Sequence, residues 1–154
     1  MAAEGNRNVK VIITRNVREY RKAALNIINE NERVLEIGCG FGKTIEKIAK
    51  IKCRVLGVDK SMEAIKHAKS RLMASNNVSV ALVDAMDIKS LLKAIKEHLN
   101  GRVDVVLIDI GGVEDPGKVL NLTRRCIKAF KPRAVVVKNE LLYDFISMCE
   151  LYSQ

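Results

Sequence analysis

A chain of 154 residues has room for one domain with a substantial core. Nearly half of it is apolar, which excludes a disordered chain, yet no apolar run approaches the ~18 residues of a membrane-spanning helix. The formal charge is +9, and it is unevenly placed. Residues 7–22 carry Arg7, Lys10, Arg15, Arg18, Arg21 and Lys22 against the single acid Glu19. Residues 116–139 carry Lys118, Arg124, Arg125, Lys128, Lys131, Arg133 and Lys138 against none. Two such segments point to a polyanionic partner, most simply RNA. Cys39, Cys53, Cys126 and Cys149 lack metal-type spacing, and no apolar leader opens the chain. The expectation is a reduced, cytoplasmic protein without a metal site.

In chain order, Val9–Ile13 is β-rich and predicts a short strand. Asn16 is placed to cap a helix running to about Asn29, with Val17, Tyr20, Ala24, Ile27 and Ile28 on one face. Arg33–Ile37 reads as a buried parallel strand, Gly38, Gly40 and Gly42 as a sharp turn, and the residues from Thr44 to about Ile51 as a helix. Arg54–Asp59 is the next strand. Ser61 caps the helix that follows, which buries Ile65, Ala68 and Leu72. Val78–Val83 is a further strand. Either Asp84 or Asp87 caps a helix striped by Leu91, Leu92, Ile95 and Leu99 and closed by Asn100-Gly101. After strand Val103–Asp109, Asp115-Pro116 opens a helix that turns Val119, Leu122, Thr123, Cys126, Ile127 and Phe130 inward and leaves Lys118, Arg125 and Lys128 outside. Ala134–Lys138 is the last strand and Leu141–Tyr152 the last helix. This alternation predicts an α/β fold, a doubly wound and mostly parallel sheet, with its ligand at the carboxyl ends of the strands.

Glu36, Gly38, Asp59, Asp84, Asp109 and Lys138 all fall at such ends. A carboxylate like Glu36 at the end of a buried strand is costly unless a cation or hydrogen-bond donor meets it. Asp59 lies about 20 residues beyond Gly38, the spacing of a ribose-binding acid in this architecture. A dinucleotide fingerprint, Gly-x-Gly-x-x-Gly, would put its third glycine where Lys43 stands, and a pyrophosphate gains nothing from Glu36.

The run Glu36-x-Gly38-x-Gly40-x-Gly42 resembles the first motif of the class I S-adenosylmethionine (SAM) dependent methyltransferases, and the resemblance extends over residues 33 to 140. It implies SAM as the cofactor. Gly38, Gly40 and Gly42 would form the cofactor turn and Glu36 would meet the methionine ammonium. Asp59 would hold the ribose, and Asp84, with the adjoining Ala85, the adenine. The family usually closes with an antiparallel strand pair that has no counterpart here. The implied fold is therefore a minimal version of the Rossmann-like methyltransferase domain, or one whose sheet edge is covered by Val9–Ile13.

The residues after the fourth core strand, Asp109-Ile110-Gly111-Gly112, lack the proline and aromatic residues of base-amino methyltransferases, and Cys126 falls inside a helix. Asp109 with Lys138 is similar to part of the Lys-Asp-Lys-Glu set of RNA 2′-O-ribose methyltransferases. There the first lysine would be Lys10 or Lys22, and Glu140 arrives early for the final glutamate. The function so implied is a SAM-dependent methyltransferase acting on RNA, with Asp109 and Lys138 facing the acceptor. The alternatives are a non-catalytic SAM- or nucleoside-binding module or RNA-associated subunit, and a small-molecule methyltransferase.

Overall fold

Branched apolar residues form the strands, and polar side chains cap the helices between them. The computed structural model describes residues 8–153. Its elements are β1 Lys10–Thr14, α1 Val17–Ile27, β2 Arg33–Ile37, α2 Lys43–Ile48, β3 Arg54–Asp59, α3 Met62–Arg71, β4 Val78–Leu82, α4 Ile88–Leu99, β5 Val105–Ile108, α5 Pro116–Phe130, β6 Ala134–Lys138 and α6 Glu140–Ser147. Arg7, the first cation of the N-terminal basic segment, lies outside the described residues.

The sheet order is β1-β6-β5-β2-β3-β4, and every pairing is parallel. Successive strand residues point to opposite faces, so each β2 residue contributes to one of two cores. Val34 joins Tyr20 and Ala24 of α1, Ile45 and Ile48 of α2, and Ile65 and Ala68 of α3. Leu35 and Ile37 join Leu91 and Ile95 of α4, Val119 and Leu122 of α5, and Leu142 of α6. The strand order reverses at β2, with β3 on one side and β5 on the other. That switch point places the open crevice above the β2 carboxyl end.

β1 resolves the question of the missing strand pair. It adds in parallel to β6, with Lys10 opposite Ala134 and Thr14 opposite Lys138, and so covers the edge where the family's antiparallel strands usually lie. Buried Thr14 bonds across to the Val137 carbonyl at 2.9 Å.

Asn16, Ser61, Asp87, Asp115 and Asn139 each accept a backbone N–H in the first turn of their helices. Asp87 rather than Asp84 is thus the cap of α4. Leu92 is half exposed: the buried stripe of α4 is Leu91, Ala94, Ile95 and Leu99, and Leu92 is one position off it. The last helix stops at Ser147 instead of reaching Tyr152. Met148, Leu151 and Tyr152 pack against nothing that would repay further ordering.

Asn139 ties several elements together. It is fully buried, and its backbone N–H reaches the Thr14 carbonyl. Its side-chain oxygen caps α6 at Leu142, and its amide donates to the Glu114 carbonyl at 2.9 Å. Asn139→Ala removes a cap and leaves that carbonyl unpartnered. The expected destabilisation is about 2 kcal/mol in urea unfolding, several times that of a surface substitution.

Candidate functional site

The site is built on the end of β2. Glu36, its fourth residue, is 2% exposed because the strand is flanked on both sides and covered on both faces. The Tyr20 hydroxyl, fully buried on α1, donates to Glu36 Oε1 at 2.9 Å. Glu36 Oε2 has no partner among the described residues. Burial pushes the Glu36 carboxyl up to about 8. The Tyr20 hydrogen bond opposes the rise, Asp109 adds to it, Arg21 opposes it and Asp59 adds to it. Burial, followed by the neighbouring Glu36, likewise raises the Tyr20 phenol well above its usual range, so Tyr20 acts as a donor.

The three motif glycines do different things. A Cβ on Gly38 would sit 1.9 Å from the Asp109 carbonyl oxygen, in a left-handed backbone besides, so this glycine is required by the packing of the β5 exit against the turn. A Cβ on Gly42 would press on Leu72 of α3. Only Gly40 has open space where its side chain would be, with φ at +53°, and its bare backbone faces the crevice. All three have positive φ, and Gly38 and Gly40 both line the open crevice.

Asp59 braces this turn. Its Oδ2 accepts the Gly40 N–H at 3.0 Å and its Oδ1 the Ser61 N–H at 2.9 Å, and the residue lines the adjoining cleft. At the next strand end, Asp84 is exposed and accepts the Met86 N–H at 3.0 Å, with Ala85 beside it. Ile37, Val58, Val83, Ala85, Ile110 and Leu122 give a half-open cleft apolar walls, and the acids Asp59, Asp84, Asp109 and Glu114 and the lysines Lys60 and Lys118 also line it. A second depression adjoins it, lined by Arg21, Glu36, Gly40, Phe41, Lys43 and Thr44. Gly38 and Asp109 border both. Lys138 Nζ lies 3.0 Å from Asp109 Oδ1, both side chains being less than a quarter exposed.

Other sequence expectations meet the geometry less well. Lys10 starts β1, at the opposite end of the parallel sheet from the site, so it cannot be the first lysine of a catalytic set. Lys22 is exposed on α1. Glu140 is held by Arg15 at 3.4 Å, not by Lys138. Lys118 does not point outward: it lines the cleft and pairs with Glu114 at 3.3 Å. Arg125 is also part-buried and bonds to the Met86 carbonyl. Their long stems let them reach these partners. Cys126 is fully buried, and burial pushes its thiol up to about 12, which suits packing and not nucleophilic attack. Sequence reasoning missed Tyr20 and Glu114 as site residues. Tyr20 read as one more apolar position of α1, though a phenol on a buried helix face needs a hydrogen-bond partner.

An apolar cleft with carboxylates for hydroxyl and amino groups, joined to a depression with an unpartnered buried carboxylate oxygen, fits SAM. The cleft suits a nucleoside, and the orphaned oxygen suits an ammonium. A pyrophosphate would gain nothing from Glu36. Fold and site together define a class I SAM-dependent methyltransferase domain.

A methyltransferase domain model matches residues 28–149, and the chain belongs to that family. Solved structures agree on the fold. Aeropyrum pernix fibrillarin with natively bound SAM superposes at a TM-score of 0.57 with 19% identity, over 73% of this chain and 48% of that one. A candidate rRNA methylase from Clostridium thermocellum gives 0.58 and 15%, over 76% and 64%. Coclaurine N-methyltransferase bound to N-methylheliamine and S-adenosylhomocysteine gives 0.57 and 22%, over 78% and 33%. The chain spans about half the length of the fibrillarin chains it matches. No curated protein is similar to it in sequence.

Glu36 carries a pH dependence of its own. An unfolded chain releases this proton near 4.5, whereas the folded one keeps it to about 8. Between those values the unfolded state binds fewer protons, so stability falls as pH rises. The contribution is complete below 4.5 and lost above 8. In ligand-free urea titrations across that window, Glu36→Gln should flatten the slope and be the more stable form at its alkaline end. A slope unchanged by Glu36→Gln would mean that Glu36 is ionised in the fold.

Proposed function

We propose that the chain transfers the methyl group of SAM to RNA, at a ribose 2′-hydroxyl. The observation that carries the reading is Asp109 at the border of the two depressions, with Lys138 Nζ 3.0 Å from it and both side chains part-buried. In this reading the Glu36 carboxylate takes the methionine ammonium on its free oxygen, and Tyr20 fixes that carboxylate from the other side. Asp59 accepts from the ribose hydroxyls while holding the Gly40 N–H, and Asp84 accepts from the adenine amino group beside Ala85. Gly40 lets the ligand lie on the backbone, with Gly38 and Gly42 shaping the turn beneath it.

SAM supplies a methyl carbon already activated by its sulfonium. The chain's task is to align the acceptor and exclude water. The acceptor oxygen attacks that carbon in line, the C–O bond forms as the C–S bond breaks, and the hydroxyl proton passes to the Asp109–Lys138 pair. The basic segments favour a polyanionic acceptor over the small amine of an enzyme such as coclaurine N-methyltransferase.

The decisive assay offers labelled SAM together with RNA, protein and metabolite fractions. Label should enter RNA and survive in alkali-resistant dinucleotides, since a 2′-O-methyl group blocks the internal attack that cleaves RNA. Label confined to protein or metabolites would refute the RNA reading. Lys138→Ala should lower turnover by about 10²–10⁴-fold with little change in RNA affinity. Full activity in that variant would remove Lys138 from the chemistry.

A further consequence concerns protons. At pH 7 the ligand-free Glu36 holds a proton that a bound ammonium displaces. Titrations of the cofactor in buffers of different ionisation heat should therefore show proton release, absent in Glu36→Gln and fading above pH 8. Binding without proton release at pH 7 would contradict the contact.

A further inference from the structure

The cations of the two basic segments differ in how they are employed. In residues 116–139, Lys118 is bound to Glu114, Arg125 to the Met86 carbonyl, Arg133 to Glu32 and Lys138 to Asp109. Arg124, Lys128 and Lys131 have no carboxylate partner among the described residues, but α5 runs from the carboxyl end of β5 back to the start of β6 and carries them away from the site. Lys128 and Lys131 stand near its far end.

On the other face of the sheet the unpaired cations lie toward the site. α1 leaves from the carboxyl end of β1 and α2 from the glycine turn, so Arg18, Arg21, Lys22, Lys43 and Lys47 lie toward the site end. Among the described residues none of these five pairs with a carboxylate. Arg18, Lys22 and Lys47 are exposed and line one open depression between α1 and α2. Arg21 lines this depression and also the neighbouring one that holds Glu36, Gly40 and Asp109. A path of unpaired positive charge thus runs from the outer surface of α1 and α2 to the acceptor side of the site.

Helix stability does not account for that placement. Arg18 occupies the first turn of α1, the positive end of its dipole, and the last turn carries no cation. Exposed like charges gathered around one groove repel each other until a polyanion neutralises them.

Building on the RNA reading, we propose that the groove between α1 and α2 is the track on which a single RNA strand lays its phosphates. Arg18, Lys22 and Lys47 grip the backbone, Arg21 leads it to Asp109 and Lys138, and the outer face of α5 makes no contact with it.

The test uses the full chain and a labelled single-stranded oligoribonucleotide of mixed sequence, with affinity measured against salt. Three proteins are compared: wild type, an Arg18→Ala, Lys22→Ala, Lys47→Ala triple variant, and an Arg124→Ala, Lys128→Ala double variant of α5. S-adenosylhomocysteine affinity reports on the fold of each and should be equal in all three. The triple variant should bind RNA about 10- to 100-fold more weakly near 0.1 M salt. Its log–log salt slope should be shallower by about 2, at ~0.7 for each single-strand phosphate that the protein no longer neutralises. The double variant should bind as wild type does. Loss of RNA affinity in the double variant with none in the triple would overturn the track and leave the RNA assignment standing. A wild-type protein that binds no RNA, or prefers an acidic polypeptide, would overturn both.

Discussion

One buried carboxylate governs the site. Glu36 sits where a strand end, a glycine turn and helix α1 converge, with one oxygen satisfied by Tyr20 and the other unmet. Leaving that oxygen unpartnered costs stability, and the protein limits the cost by keeping the group protonated. A cation delivered to the depression changes both terms at once. It supplies the missing partner and stabilises the charged form. In the proposed function, recognition of the ligand's amino-acid end rests on this unsatisfied position in the core, which is fixed by a helix that precedes the glycine motif in the chain.

The same economy appears in Asp59. Its carboxylate holds the glycine turn through the Gly40 N–H and starts α3 through the Ser61 N–H, before any ribose is present. The carboxylate proposed to hold the ribose is thus also the one that shapes the turn. Gly38 ties that turn to the β5 exit, because only a missing Cβ allows the Asp109 carbonyl so close. Asp109 in turn engages Lys138, and Asn139, the next residue, locks β6, α6 and β1 together. A chain of contacts runs across the strand ends from Asp59 to Asn139.

Much of this was legible in the sequence, for definite reasons. Strands and helices announced themselves through short β-branched runs, helical apolar spacing and side-chain caps, and the polar strand ends gave the outline of the cleft. What escaped depended on three-dimensional neighbours. Tyr20 is a typical inward-facing helix residue until Glu36 is placed 2.9 Å away. Lys118 and Arg125 looked solvent-facing by helical periodicity, yet long flexible stems let them fold back to Glu114 and the Met86 carbonyl. Charge counting treated the two basic segments alike, whereas the sheet separates α1 from α5 and internal pairing neutralises much of the second segment. The role of β1 could be suspected from its composition, but its parallel register on β6 is a property of the assembled sheet. Lys10 is carried by that register to the end of the sheet away from the site.

The measurement that bears most directly on this account is a calorimetric comparison of SAM, S-adenosylhomocysteine and NAD with the full chain. Saturable binding of the first two, weakened in Glu36→Gln, with no binding of NAD at millimolar concentration, is the predicted result. Binding of NAD in place of SAM, or SAM binding indifferent to Glu36, would contradict it.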